Sequence, residues 1–192
     1  HEGRNLTVVN CIFVGNEDGI LATGDPKGVI TISKSAFLDS GFGDGQSHAV
    51  YVDGAALVDV RDSKFVSTRI GHHLKSLATK TVVRGTTFDD GHGRGSYAID
   101  ASKGGALTVE DSRFIQSADS DNQAIINYDL SRGGAAAAIR IINPRIVNAY
   151  DGGVFLRNDT KSAPVIAGAA IENRARRPLR MVSPGSPAPR ER

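Results

Sequence analysis

Cysteine occurs once in this chain, at Cys11, and tryptophan not at all. One cysteine excludes an internal disulfide framework. No apolar run is long enough to span a membrane, and no signal peptide is visible within the sequence, whose opening His1-Glu-Gly-Arg-Asn leads straight into a strand-like run. Aromatic residues make up only 6% of the chain, and no stretch carries a sustained helical period. Charge of one sign is also scarce over most of the length. The formal net charge is +2, but six arginines and one glutamate fall at or after Arg174, so residues 1–173 carry −3. That body has no basic stripe with interleaved aromatics, which argues against a nucleic-acid partner. What is abundant is glycine, at 22 of 192 residues, in a chain that is 40% apolar. Such a profile fits one turn-rich β domain with room for a sizeable core.

The order in those residues is a repeat. An anchor recurs at Phe13, Phe37, Phe65, Phe88, Phe114, Ile146 and Ile171. Seven and five residues before each anchor stand paired positions such as Leu6/Val8, Ile30/Ile32, Val58/Val60 and Leu107/Val109, the alternation of a short half-buried strand. Three residues before the anchor come Asn10, Lys34, Asp62, Gly85, Asp111, Asn143 and Gly168. Six of these seven are Asn, Asp or Gly, which tolerate a left-handed corner. Two before the anchor, Cys11, Ser35, Ser63, Thr86 and Ser112 are small enough to stack inside a tight bend. Each unit therefore reads strand, corner, strand, variable loop, strand, return. Leucine-rich repeats need a leucine spacing that is absent, and a left-handed hexapeptide helix needs a six-residue period that is also absent. The pattern predicts an all-β chain folded as a right-handed parallel β-helix of about seven coils over residues 1–173. Residues 174–192, rich in Arg and Pro without apolar periodicity, are expected to form a disordered tail.

The third strand of the unit carries the candidate site. His48-Ala-Val-Tyr-Val52, Ile70-Gly-His-His-Leu-Lys-Ser76, Tyr97-Ala-Ile-Asp-Ala101 and Ala124-Ile-Ile-Asn-Tyr128 align on Val50, Leu74, Ile99 and Ile126. This places Tyr51, Lys75, Asp100 and Asn127 at one equivalent position, facing away from the core, in strands about 4.8 Å apart. Strict alternation sets His73 beside Lys75 on the outer face. It turns His72, together with His48 and Tyr97, inward as a polar stack.

Gly71-His-His-Leu-Lys-Ser76 followed by Ser96-Tyr-Ala-Ile-Asp100, with the Asn/Asp corners, Asn16 to Leu21 and Asp44-Gly-Gln-Ser-His48, resembles bacterial right-handed β-helix proteins of the pectate-lyase-like superfamily. The resemblance covers residue 5 to about 173. It implies an extracellular or periplasmic protein and an acidic, uronate-containing polysaccharide as partner. It also implies that coils precede Leu6 in the full-length protein, leaving here an N-terminal edge open to self-association. The activity implied is β-elimination or epimerisation, with Lys75, His73, Tyr51 and Asp100 as catalytic residues. Asn127, Arg69, Arg94 and His48 are the substrate-binding candidates. Some relatives use calcium, for which Asp44, Asp89 and Asp90, on loops leading into the polar stripe, are the candidate ligands.

Other chemistries fit less well. Zinc is disfavoured because His72 and His73 are adjacent and point to opposite faces. Asp89 to Ser96 is glycine-rich but precedes no helix, which argues against nucleotides. No nucleophile-elbow serine is present. Glycoside hydrolysis needs clustered carboxylates at the groove, and Asp100 has none in its own row. The competing expectation is a non-catalytic glycan-binding or surface-structural β-helix, in which the polar stripe is a ladder of pairs.

Overall fold

The computed structural model describes residues 1–43 and 47–184. Among them every regular element is a strand, and each strand pairs in parallel with its counterpart one coil away. Three seven-stranded sheets result. The first runs through Asn5–Val9, Val29–Ser33, Leu57–Arg61, Lys80–Arg84, Gly104–Glu110, Ala135–Ile142 and Val165–Ala167. The second comprises Ile12–Val14, Ala36–Leu38, Lys64–Val66, Thr87–Asp89, Arg113–Gln116, Arg145–Asn148 and Ala170–Asn173. The third is built from Ile20–Ala22, Val50–Val52, Leu74–Ser76, Ile99–Ala101, Ala124–Tyr128, Val154–Asn158 and Arg180–Pro184. The chain is a parallel β-solenoid of seven coils, as the anchor spacing predicts.

The corner between the first and second sheets follows from its residues. All seven predicted corner positions have φ between 47° and 68°, including Lys34, the one side chain there without special tolerance for that region. The next position supplies the hydrogen bonds a tight bend cannot make with its own backbone. Cys11 N–H donates to Ser35 Oγ at 3.1 Å, Ser35 N–H to Ser63 Oγ at 3.2 Å, Ser63 N–H to Thr86 Oγ1 at 3.4 Å and Thr86 N–H to Ser112 Oγ at 3.3 Å. Each hydroxyl thus holds the preceding coil, which locks the axial register.

Inside, the anchors form one column. Phe13, Phe37, Phe65, Phe88 and Phe114 stack with ring centroids 4.7–5.3 Å apart and nearly parallel planes. Ile30, Ile32, Val58, Val60, Val83, Leu107 and Val109 from the first sheet close over them. Fully burying one such side chain stabilises the fold by about 1.5–3 kcal/mol, and every coil contributes several.

The strand at Arg180–Pro184 corrects the expected boundary at residue 173. It pairs in parallel with Val154–Asn158, and Leu179 and Met181 pack on the core. Arg177 joins it from the preceding turn by donating to Asp151 through its N–H at 2.8 Å and its Nε at 3.1 Å. Proline and arginine hid a seventh-coil strand whose few apolar residues suffice because one side only needs covering. Residues 185–192, the rest of the expected tail, lie outside the described residues.

At the other end, Leu6, Val8 and Phe13 are only partly buried, and Ile12 and Val14 are 72% and 60% exposed. The third-sheet edge of that coil is occupied in part by His1, whose amine donates to Leu21 O at 2.6 Å and whose carbonyl accepts from Thr23 N at 3.1 Å.

Candidate functional site

The outward face of the third sheet brings together Tyr51, Lys75, Asp100 and Asn127, paired residue by residue as the alignment predicts. The register continues to Arg157 in the sixth coil, which the alignment of four runs did not include. Expected to be a stripe open to solvent, this column is closed instead: Lys75, Asp100 and Asn127 are 3%, 2% and 3% exposed. Its members are held by one another and by the flanking Ser102 and Asp129, while Asn127 Oδ1 is buried without a hydrogen-bond partner. Lys75 Nζ lies 3.8 Å from Asp100 Oδ2 and 5.4 Å from the Tyr51 ring centroid. The Asp100 carboxylate accepts from Asn127 Nδ2 at 2.8 Å and from Ser102 Oγ at 3.0 Å. Asn127 Nδ2 donates also to Asp129 at 2.9 Å. Arg157 reaches Asp159 at 2.6 Å and the Tyr97 hydroxyl at 3.2 Å.

Burial, the largest influence, raises the Asp100 carboxyl above its ordinary value, and the Asn127 hydrogen bond and Lys75 charge oppose it. Tyr51 is pushed up to about 12, first by burial and then by Asp53, which accepts from its hydroxyl at 3.2 Å. A phenol held that high is a poor proton donor to a leaving oxygen near neutrality.

The two adjacent histidines take the faces opposite to those predicted. His72 stands on the outer face, its Nε2 at 3.5 Å from Asp100 Oδ2. His73 lies in the interior, against Phe65 and Phe88, 1% exposed. The cause is a lapse in alternation just before the strand. His73 N and Leu74 N both donate forward, to Tyr97 O and Ala98 O, while Ala49 N and Val50 N both donate to His72 O and His73 O. A regular strand turns successive residues to opposite faces, so two consecutive bonds in one direction leave two consecutive side chains inside. Ala49/Val50, Ala98/Ile99 and Ile125/Ile126 lie inside together in the same way. Everything before that point changes face, so His48, His72 and Tyr97 stack on the outer side.

That stack fixes tautomers. The rings of His48 and His72 lie 4.8 Å apart at 10°, and His72 and Tyr97 5.0 Å apart. His72 N–H donates to His48 Nδ1 at 3.0 Å, and Tyr97 N–H donates to His72 Nδ1 at 3.2 Å. Each Nδ1 is therefore an acceptor, and each ring carries its proton on Nε2. Both nitrogens of His72 are engaged, which removes it as a general base. Burial, then the charges of His72, Lys75 and Arg132, pushes His48 down to about 2. Burial and Lys75 likewise hold His72 well below the usual range. Gly71 precedes the pair because a Cβ there would collide with the Ser47 carbonyl and His48 Nδ1.

His73 has triad-like partners: Thr68 Oγ1 at 2.6 Å from Nδ1 and Asp90 Oδ1 at 3.2 Å from Nε2. A nucleophile, base and acid arranged so resemble an acyl-transfer centre. Thr68 is completely buried, however, and no substrate reaches its hydroxyl. Asp90 also accepts from Ser117 N at 2.9 Å, and Asp89 accepts from Gly91 N at 2.8 Å. These two expected calcium ligands are thus turn and core partners, and Asp44 lies outside the described residues. Among the described residues no three His, Cys, Asp or Glu side chains converge to hold a metal ion.

The remaining predicted contacts separate. Arg69 covers the Phe42 ring at 5.7 Å. Arg94 opens onto a groove of about 650 Å³, shared with His92, Asp119, Tyr150 and Asp151, on the loops that follow the second sheet. On that sheet's outward face Lys64, Arg113 and Arg145 are exposed in one registered column, with Thr87 between the first two. The position before each anchor could have shown this column; the groove residues sit in loops of unequal length, where no period points to them.

No family model, curated protein or solved structure matches the chain at a significant level.

Proposed function

We propose that this solenoid binds an acidic, uronate-containing polysaccharide without cleaving it. One contrast supports the reading: the ionic ladder of the third sheet is closed, whereas the cations of the second sheet stand free. Arg61 pairs with Asp59, and Arg84 and Arg140 with Glu110, on the first sheet. Lys64, Arg113 and Arg145 have no such partner among the described residues. Cations about 5 Å and 10 Å apart along a flat parallel sheet meet a polymer that carries a carboxylate on successive rings. The choice of a glycan rests on the resemblance of Gly71–Ser76 and Ser96–Asp100 to the pectate-lyase-like superfamily, and with it goes a place outside the cytoplasm, extracellular or periplasmic. β-Elimination through Lys75 would require that ammonium to leave Asp100 and reach solvent.

Titration with oligogalacturonate, oligoalginate and heparin fragments tests the reading. Binding should weaken as salt rises and fall at least tenfold when Lys64, Arg113 and Arg145 are all changed to Glu, with no ultraviolet absorbance of unsaturated uronate appearing. Release of unsaturated products, or no binding to any of the three, overturns it.

A further inference from the structure

We infer that the groove beside Arg94 is a subsite for an uncharged, hydroxyl-rich sugar ring, an inference that rests on the glycan-binding reading above. The loops that line it come from the fourth, fifth and sixth coils, so the groove runs along the solenoid axis. Its volume of about 650 Å³ falls in the range of small-molecule sites.

The chemistry of its walls selects the ligand. Three of the six polar side chains are already committed: His92 Nε2 lies 2.8 Å from Asp39 Oδ1, Ser120 Oγ donates to Gly95 O at 3.0 Å, and Asp151 is held by Arg177. Backbone and side-chain hydrogen bonds from Arg177 keep the Asp151 carboxyl below its ordinary value. Three remain without a side-chain partner among the described residues: the Arg94 guanidinium, the Asp119 carboxylate and the half-buried Tyr150 phenol. One fixed fork of donors, one pair of acceptor oxygens and one aromatic face complement adjacent hydroxyls, each of which both donates and accepts. The free charges are one positive and one negative, so a ring carrying a carboxylate would meet Asp119 as a like charge. The Lys64, Arg113 and Arg145 column has no such carboxylate in its own row, and there a uronate fits better.

Amide chemical shifts of the full chain, followed during titration with cellohexaose, xylohexaose, mannohexaose and tetragalacturonate, decide the matter. At least one neutral hexaose should move the amides of residues 92–95, 118–121 and 150–152. Arg94→Ala and Asp119→Ala should each weaken that binding tenfold or more with the thermal midpoint unchanged, and the triple Lys64, Arg113 and Arg145 to Glu variant should leave it intact. Shifts from tetragalacturonate alone, confined to the cationic column, would overturn the subsite and leave the glycan-binding reading standing. Groove shifts from tetragalacturonate that depend on Arg94 would overturn the ligand class. Silence from all four sugars overturns the subsite, and with oligoalginate and heparin also silent the broader reading falls too.

Discussion

The second and third sheets carry comparable numbers of charged groups on their outward faces and use them in opposite ways. On the third sheet Lys75, Asp100 and Asn127 are buried in register, Asp100 lying against Lys75 and accepting from Asn127, and Arg157 continues the column through Asp159 and Tyr97. On the second, Lys64, Arg113 and Arg145 are exposed and have no ion-pair partner among the described residues. A buried ion pair is poor evidence of net stabilisation, but it makes each member indispensable once the other is present. An exposed cation is nearly neutral to folding and available to a ligand. Chemically similar columns one sheet apart thus divide the work between holding coils in register and meeting a partner.

The sharpest way to break that contrast is Lys75→Ala. It leaves the Asp100 carboxylate buried beside an emptied position and should destabilise the protein by about 3–5 kcal/mol, read from urea unfolding. The sequence pattern alone predicts almost no loss, because it places Lys75 in solvent. Leu74→Ala, one residue away in the core, should cost about 2–5 kcal/mol by cavity formation. If Lys75→Ala unfolds at the wild-type midpoint, the ladder is not structural.

Truncation after Asn173 removes the strand at Arg180–Pro184 together with Leu179 and Met181, uncovering Val154 and Leu156. It should lower stability by roughly 2 kcal/mol or more. An unchanged thermal midpoint would restore the boundary expected from composition.

A smaller effect follows from the stacked histidines. His48 and His72 are held below their ordinary value of 6.5 in the folded state, so the unfolded chain binds more protons below that pH. Their contribution is complete above 6.5 and is lost as pH falls below it, by up to about 1.4 kcal/mol per pH unit for each ring. Asp100, raised above 3.8, acts in the opposite sense and offsets part of the loss as it takes up a proton. His48→Gln should flatten the slope of unfolding free energy against pH just below 6.5; an unaltered slope would show that His48 titrates normally.

Smallest of all, Arg113→Ala and Arg145→Ala should each change stability by less than about 0.5 kcal/mol while weakening polyuronate binding. A large loss of stability in either would erase the difference between the two faces.

The residues that made the fold legible are those whose role is local. Phe anchors five positions after an alternating pair, and Asn, Asp or Gly at a left-handed corner, report on one coil at a time, and all seven corners appear where that pattern sets them. Pairing of Tyr51 with Lys75 and of Asp100 with Asn127 was equally readable, because a solenoid turns sequence spacing into spatial register. The faces of His72 and His73 were not, since the alternation rule fails at a point where two successive amides bond in one direction. No residue type announces that lapse.

By itself, then, the sequence determined the number of coils, the corners, the phenylalanine column and the register of the polar ladder, all of which follow from neighbours in the chain and the coil directly above. Only the tertiary structure decided that Lys75 is buried, that His48 and His72 are neutral Nε2–H tautomers, and that Arg94, Asp119 and Tyr150 share a groove. Those depend on which side chains from separate coils enclose a point and shut out water, and enclosure is a property of three-dimensional packing that no spacing along the chain records.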